Sequence, residues 1–301
     1  MINQNNTEVL IVTTAIKNIS EKRNGMLVTP LGIDEDNYIL KVINNIRVNT
    51  NIDKFTVVID HKINSSLSER YLNVLKKIKN INLVVSPSCI TMPSQLTATM
   101  AFKLGIKNIS KDYLLFWEHD HLFKESISWE IIKKCFEGNG KMIGFNRNIN
   151  DKNSFHFFVE GKSQLFPELS NLDKNLLYFP MYSNGPFIAE KKFCEDLWNE
   201  TFFEIPSWNG YFGGFIEGPV EQRIIQDLFN LDLSEFKEKY PIYLYGGFNF
   251  DPIVFHFGDH KGIYKNKFFE ALDRFRFFVP LRKLKSFISK TIHKFIWKTY
   301  N

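Results

Sequence analysis

Residues 118–121 read Glu-His-Asp-His, four metal-ligand side-chain types in succession with no spacer. Glu118 and Asp120 form a carboxylate pair at i, i+2. Hard divalent cations that also take phosphate oxygens are commonly held by one or two such carboxylates. An isolated Glu-x-Asp more often just ends a strand, with the Asp capping the turn that follows. Here the run behind it, Tyr113 to Trp117, is five apolar or aromatic residues long and leaves no polar face. Such a run reads as a buried strand. Open α/β sheets bind ligands in the crevice outside the carboxyl ends of their strands, where this cluster falls.

The elements that must position it are legible upstream. Val9 to Thr14 is a first strand. Asp34 to Val48 has helical period, with Ile39, Val42, Ile43 and Ile46 on one stripe. Phe55 to Ile59 is a second strand closing on Asp60. Ser68 to Ile78 is a helix with Ser68 as its cap. Ile81 to Val85 is a third strand, and Ser94 to Ile106 a helix with its stop signal at Gly105. Strands alternating with helices predict a mostly parallel α/β sheet covered on both faces. No GxGxxG follows the first strand and no GxxxxGK[ST] occurs, so neither the usual dinucleotide fold nor a P-loop enzyme is indicated. Beyond about residue 140 aromatic and Gly/Pro-rich stretches suit a cleft for something flat and polar.

Composition bounds the rest. The 301 residues are 44% hydrophobic, enough for one large domain or two intimate halves. Three widely spaced cysteines without a CxxC suggest neither a disulfide framework nor a structural zinc, and fit a reducing cytoplasm. No secretory signal is visible, and no apolar run approaches the roughly 20 residues that span a bilayer. The net charge of +5 is uneven. Residues 265–301 hold ten Lys/Arg against two acids, which is +8 and leaves the first 264 residues at −3.

The order of these elements resembles the GT-A fold of nucleotide-sugar glycosyltransferases, particularly the large family-two group. That group commonly reads A-R-N-x-G-I, an apolar strand, then D-x-D. Ala101-Phe-Lys-Leu-Gly105-Ile106 stands in the first place, with Phe102 and Lys103 where the group has Arg-Asn. Glu118-His119-Asp120 stands in the last, with Glu for the first Asp; His121 is not a usual member. The resemblance implies a nucleotide-sugar-binding half over about 1–125 and an acceptor half over about 126–264. Glu118 and Asp120 would bind Mn2+ or Mg2+ and the donor diphosphate. Thr13, Thr14, Ala15 and Asp60 would hold the nucleoside, with UDP-sugars favoured, and Lys103 would join the donor site.

Three later motifs fit the same resemblance. Asn184-Gly-Pro-Phe-Ile-Ala looks like the segment lining the donor sugar, or else a tight turn before a strand. Pro219 is placed to open a helix, putting Glu217 and Glu221 at its start. In inverting relatives an acid there deprotonates the acceptor, although the helix dipole alone also explains acids at that place. Both remain candidates for the base, and the stereochemical outcome stays open. Val254-Phe-His256-Phe-Gly-Asp-His260 offers His256, then His260, as a further metal ligand.

From Pro280 the tail reads as an amphipathic helix, apolar at Leu281, Leu284, Ile288, Ile292 and Phe295 and cationic elsewhere. That pattern suits an anionic membrane surface. The expected protein is therefore a hexosyltransferase-like enzyme of bacterial cell-surface polysaccharide synthesis. It would sit on the inner face of the plasma membrane, with a glycan or lipid-linked acceptor and no nucleic-acid partner. The competing expectations are a non-catalytic membrane-peripheral scaffold of the same fold and a metal phosphohydrolase using His119-Asp120.

Overall fold

The computed structural model describes residues 1–14, 38–61, 72–87, 94–119, 121–146, 175–180, 185–204, 217–247 and 250–256. Within them the chain alternates as the hydrophobic periods predict. Strand β1 is Thr7–Thr14, helix α1 Tyr38–Thr50, β2 Phe55–His61 and β3 Ile81–Pro87. Helix α2 is Ser94–Asn108, β4 Tyr113–Glu118, β5 His121–Phe123, α3 Trp129–Glu137 and β6 Met142–Gly144. Then come β7 Leu176–Tyr178, β8 Phe187–Glu190, α4 Lys191–Glu204, α5 Glu217–Asn230, α6 Leu233–Lys239, β9 Ile242–Tyr245 and β10 Val254–His256. Of the helix expected over Ser68 to Ile78, residues 72–75 are helical, but 76–78 leave it in turns.

An eight-stranded sheet runs β3-β2-β1-β4-β8-β6-β9-β7. Its first four strands are mutually parallel, as is the β6–β9 pair, while β8 and β7 run antiparallel to their neighbours. This is the expected mostly parallel α/β sheet flanked by helices. The second half of the chain continues the same sheet through β8. The expected C-terminal amphipathic helix, residues 265–301, lies outside the described residues.

Alternation along each strand builds two cores. Val9, Ile11, Val57, Ile59, Leu115, Trp117, Ile143 and Ile188 face α1 and α3. Leu10, Val58, Leu114, Phe116, Met142, Phe187 and Ala189 face α2, α4, α5 and α6. A sheet buried on both faces needs apolar residues at every position, which is why Tyr113 to Trp117 has no polar alternation. Ile39, Val42, Ile43 and Ile46 of α1 are completely buried. Each such side chain contributes about 1.5–3 kcal/mol relative to exposure.

Gly105 does not stop its helix, as the sequence suggested. Helix α2 continues to Asn108 and Gly105 lies inside it. A Cβ there would collide with Leu10 Cδ1 and lie 3.0 Å from Val58 Cγ2. The glycine lets α2 press closely onto β1 and β2, and that contact outweighs its poor helix propensity.

On the other half, Asp227 ties α5 to α6. Its Oδ2 accepts from Tyr240 Oη at 2.6 Å, and faces Lys239 Nζ at 2.8 Å and Arg223 Nε at 3.3 Å. Burial works against the charge, but the bonds from Lys239 and Tyr240 outweigh it and hold the carboxyl below its ordinary value. Asp232 and Glu235 form a reciprocal capping box at the start of α6.

Candidate functional site

The carboxyl edge of the four parallel strands carries the polar residues singled out above. In the ladder Thr14 stands opposite Asp60, and Asp60 opposite Ser86, so three strands end on one polar row. Glu118, the last residue of β4, is level with Val12, two residues short of that row. There the chain leaves the sheet at His119, and β5 begins at His121. Thr13 is buried beside the row. Thr14, Asp60 and Ser86 are described in their backbones.

Just past the end of β4 the geometry tightens. His121 is completely buried, and its Nδ1 lies 3.5 Å from Glu118 Oε2. Glu118 itself keeps 30% of its side chain exposed, so the pair runs from the interior to solvent. Trp117 Nε1 donates to the carbonyl of His121 at 2.9 Å, folding the short turn back on β4. Trp117 also stacks on Phe123 with ring centroids 4.2 Å apart.

Strand β5 pairs antiparallel with β10, and the register sets His121 opposite His256. Helix α1 fastens this ribbon from its other side. The Phe123 amide donates to Asn45 Oδ1 at 2.7 Å, while Asn45 Nδ2 donates to the Phe123 carbonyl at 3.0 Å. One side chain thus satisfies both backbone groups of a strand residue, as a neighbouring strand would. Lys124 N donates to the Ile253 carbonyl at 2.7 Å and continues the ribbon.

The other expected site residues are distributed as follows. Asp120, Ala15, Asn184 and His260 lie outside the described residues. Glu217 is the first residue of α5, and Pro219 the third, within the turn whose amides lack helical acceptors. The helix thus opens two residues before the proline. Glu221 is half-buried one turn in. Asn184 precedes a turn into β8, at Gly185-Pro186, which lies between β4 and β6. Lys103 is half-buried on α2, nine residues after Ser94, about 13 Å along the axis. Burial, then repulsion from Lys107, lowers its pKa to about 8.

Among the described residues no group of three or more His, Cys, Asp or Glu side chains is gathered for a metal. What is gathered is the Glu118–His121 pair, with His256 brought opposite by register. Mixed oxygen and nitrogen donors of this kind fit a divalent cation. Two positioning residues, Asn45 and Trp117, were missed in the sequence. Asn45 had a signal, a polar residue between Ile43 and Ile46 on a buried helix face. No helix among the described residues is long and apolar enough to cross a membrane.

No protein-family model matches the chain, and no curated protein matches it. Among solved structures, residues 1–349 of TarS from S. aureus superpose with a TM-score of 0.40 and 13% identity, covering 80% of this chain. This chain spans 58% of that one. At that score the likeness assigns neither fold nor chemistry.

Proposed function

We propose that this chain is a metal-dependent glycosyltransferase that moves a sugar from a nucleoside-diphosphate donor to a glycan or lipid-linked acceptor. The observation that carries the reading is the Thr14–Asp60–Ser86 row at the carboxyl edge of the parallel strands, with Glu118 ending β4 two residues short of it. The resemblance of the Ala101–Ile106 and Glu118–Asp120 segments to family-two enzymes supports it.

In this reading Thr13, Thr14, Ala15 and Asp60 hold the nucleoside, with Lys103 and Asn184 toward the donor. Glu118, Asp120, His256 and His260 are the candidates to hold Mn2+ or Mg2+. When bound, such a cation supplies Lewis-acid stabilisation of charge on the departing diphosphate. Glu217 or Glu221 takes the acceptor hydroxyl proton as that oxygen bonds to C1 and the C1–O bond to the diphosphate breaks. A single displacement of this kind inverts the anomeric centre. The basic tail, residues 265–301, would hold the enzyme on the anionic inner membrane surface, suiting an acceptor of cell-surface polysaccharide synthesis.

Thermal-shift titration with UDP, GDP, CDP, TDP and CMP, with and without Mn2+, tests the reading on the wild-type chain and on Asp120→Ala. Stabilisation by one nucleoside diphosphate that needs Mn2+ and disappears in Asp120→Ala is expected. A folded protein stabilised by none of them sinks the donor site and leaves the non-catalytic scaffold.

A further inference from the structure

We propose that His121 is a nitrogen ligand of the cation at Glu118, opposite His256, and that the site therefore prefers a transition-series divalent ion to Mg2+. The inference rests on a cation being held at Glu118 and is independent of which donor or acceptor is used.

A charge-assisted imidazole–carboxylate hydrogen bond closes to about 2.7–2.9 Å. Nδ1 of His121 and Oε2 of Glu118 stand 3.5 Å apart. Two donors bound to one cation at bond lengths near 2.0–2.2 Å are separated by about 3.0 Å at a right angle and about 3.5 Å at a tetrahedral one. The observed gap is wider than a closed hydrogen bond and lies at the wide end of the separation between two ligands of one cation.

Glu118 is partly exposed while His121 is completely buried. An ion arriving from solvent meets the carboxylate first and comes to rest against an imidazole already shielded from water. Nδ1 then donates its lone pair and the ring proton sits on Nε2.

A ligand site works only when its supports hold it within about half an ångström. The backbone around His121 is fixed by the Trp117 indole on its carbonyl, by β10 across the ribbon and by Asn45 on Phe123. The same register brings His256 opposite, and directly opposed residues of an antiparallel pair have Cβ atoms about 4.5–5.5 Å apart. Imidazole donors favour the later transition ions, whereas oxygen-only sites suit Mg2+.

Electron spin-echo spectroscopy of Mn2+ bound to the full chain labelled with 15N-histidine decides the matter. The wild type should show coupling to imidazole nitrogen, and His121→Asn one coupling fewer. Mn2+ affinity should fall roughly 10–100-fold in that variant, and its margin over Mg2+ should largely disappear. Couplings unchanged in His121→Asn, or none in the wild type, overturn the proposal. If His121→Asn does not fold, the variant His119→Asn/His256→Asn/His260→Asn leaves His121 as the local imidazole. One coupling there supports the proposal and none overturns it. Couplings from His121 without nucleotide stabilisation would retain the cation site and remove the transferase reading. Mn2+-dependent nucleotide binding without those couplings would do the reverse.

Discussion

Two carboxylates lie at opposite ends of the same parallel strands, and they differ in what surrounds them. Glu8, near the amino end of β1, is completely buried. Its Oε1 accepts from Thr56 Oγ1 at 2.7 Å and its Oε2 from the amide and hydroxyl of Ser110, each at 2.9 Å. Lys54 Nζ stands 3.7 Å away and also donates to the Ser110 hydroxyl. Glu118, at the carboxyl end of β4, is partly exposed and faces an imidazole at 3.5 Å. The first carboxylate is enclosed by short bonds from neighbouring elements, which is what a buried charge requires. The second keeps part of its side chain open to solvent. Burial and partner geometry, not residue type, separate a structural acid from a candidate ligand.

The comparison breaks if substitutions at the two acids act alike. Glu8→Ala strips partners from the Ser110 amide and the Thr56 hydroxyl inside the fold, and should cost about 3 kcal/mol in urea unfolding. Glu118→Gln should cost under about 1 kcal/mol while abolishing Mn2+ binding measured by calorimetry. Equal stability losses would show that Glu118 too is part of the frame.

The next effect belongs to the ribbon. Asn45→Ala leaves the amide and carbonyl of Phe123 without their helix partner, at about 1–2 kcal/mol. Because that bond pair holds β5, Mn2+ affinity should fall as well, by roughly tenfold. A loss of stability with unchanged Mn2+ affinity would confine Asn45 to the frame. Gly105→Ala tests the other face. Overpacking against Leu10 costs about 1–3 kcal/mol, and the gain of about 1 kcal/mol in helix propensity offsets part of it. A net loss near 1 kcal/mol, with nucleotide binding unchanged, is the expected result.

How much of this could be read in the chain follows from the range of each interaction. The strands and α1 were legible because hydrophobic period is local, and Ile39, Val42, Ile43 and Ile46 all reached the core they implied. Glu118 was legible because it ends an uninterrupted apolar run. The role of Gly105 was not, because a helix stop and a close helix–sheet contact use the same residue, and only the approach of Leu10 and Val58 tells them apart. Nor was the pairing of His121 with His256, since 135 positions separate them and the ladder register alone brings them opposite. Asn45 was visible as a polar break in an apolar stripe, yet its acceptor lies 78 residues away.

Lys103 carries the smallest effect and sits between the two classes. Its α2 position makes it part of the frame, whereas the family resemblance puts it toward the donor. Burial and Lys107 lower its pKa to about 8, well below that of an unfolded lysine near 10.4. Between those values the unfolded chain holds a proton the folded chain has released, so stability from this group rises with pH across that window. Below pH 8 the cost of burying the charge is fully present. Lys103→Met should therefore be more stable than wild type at pH 7, with the gap closing as pH rises from about 8 toward 10. A gap independent of pH would mean that the side chain escapes to water and titrates normally. The same pair of proteins weighs the donor role. If the Lys103 ammonium meets a diphosphate, the Mn2+-dependent nucleotide shift should shrink in Lys103→Met at pH 7 and match wild type above pH 9. An equal shift at both pH values assigns Lys103 to the frame.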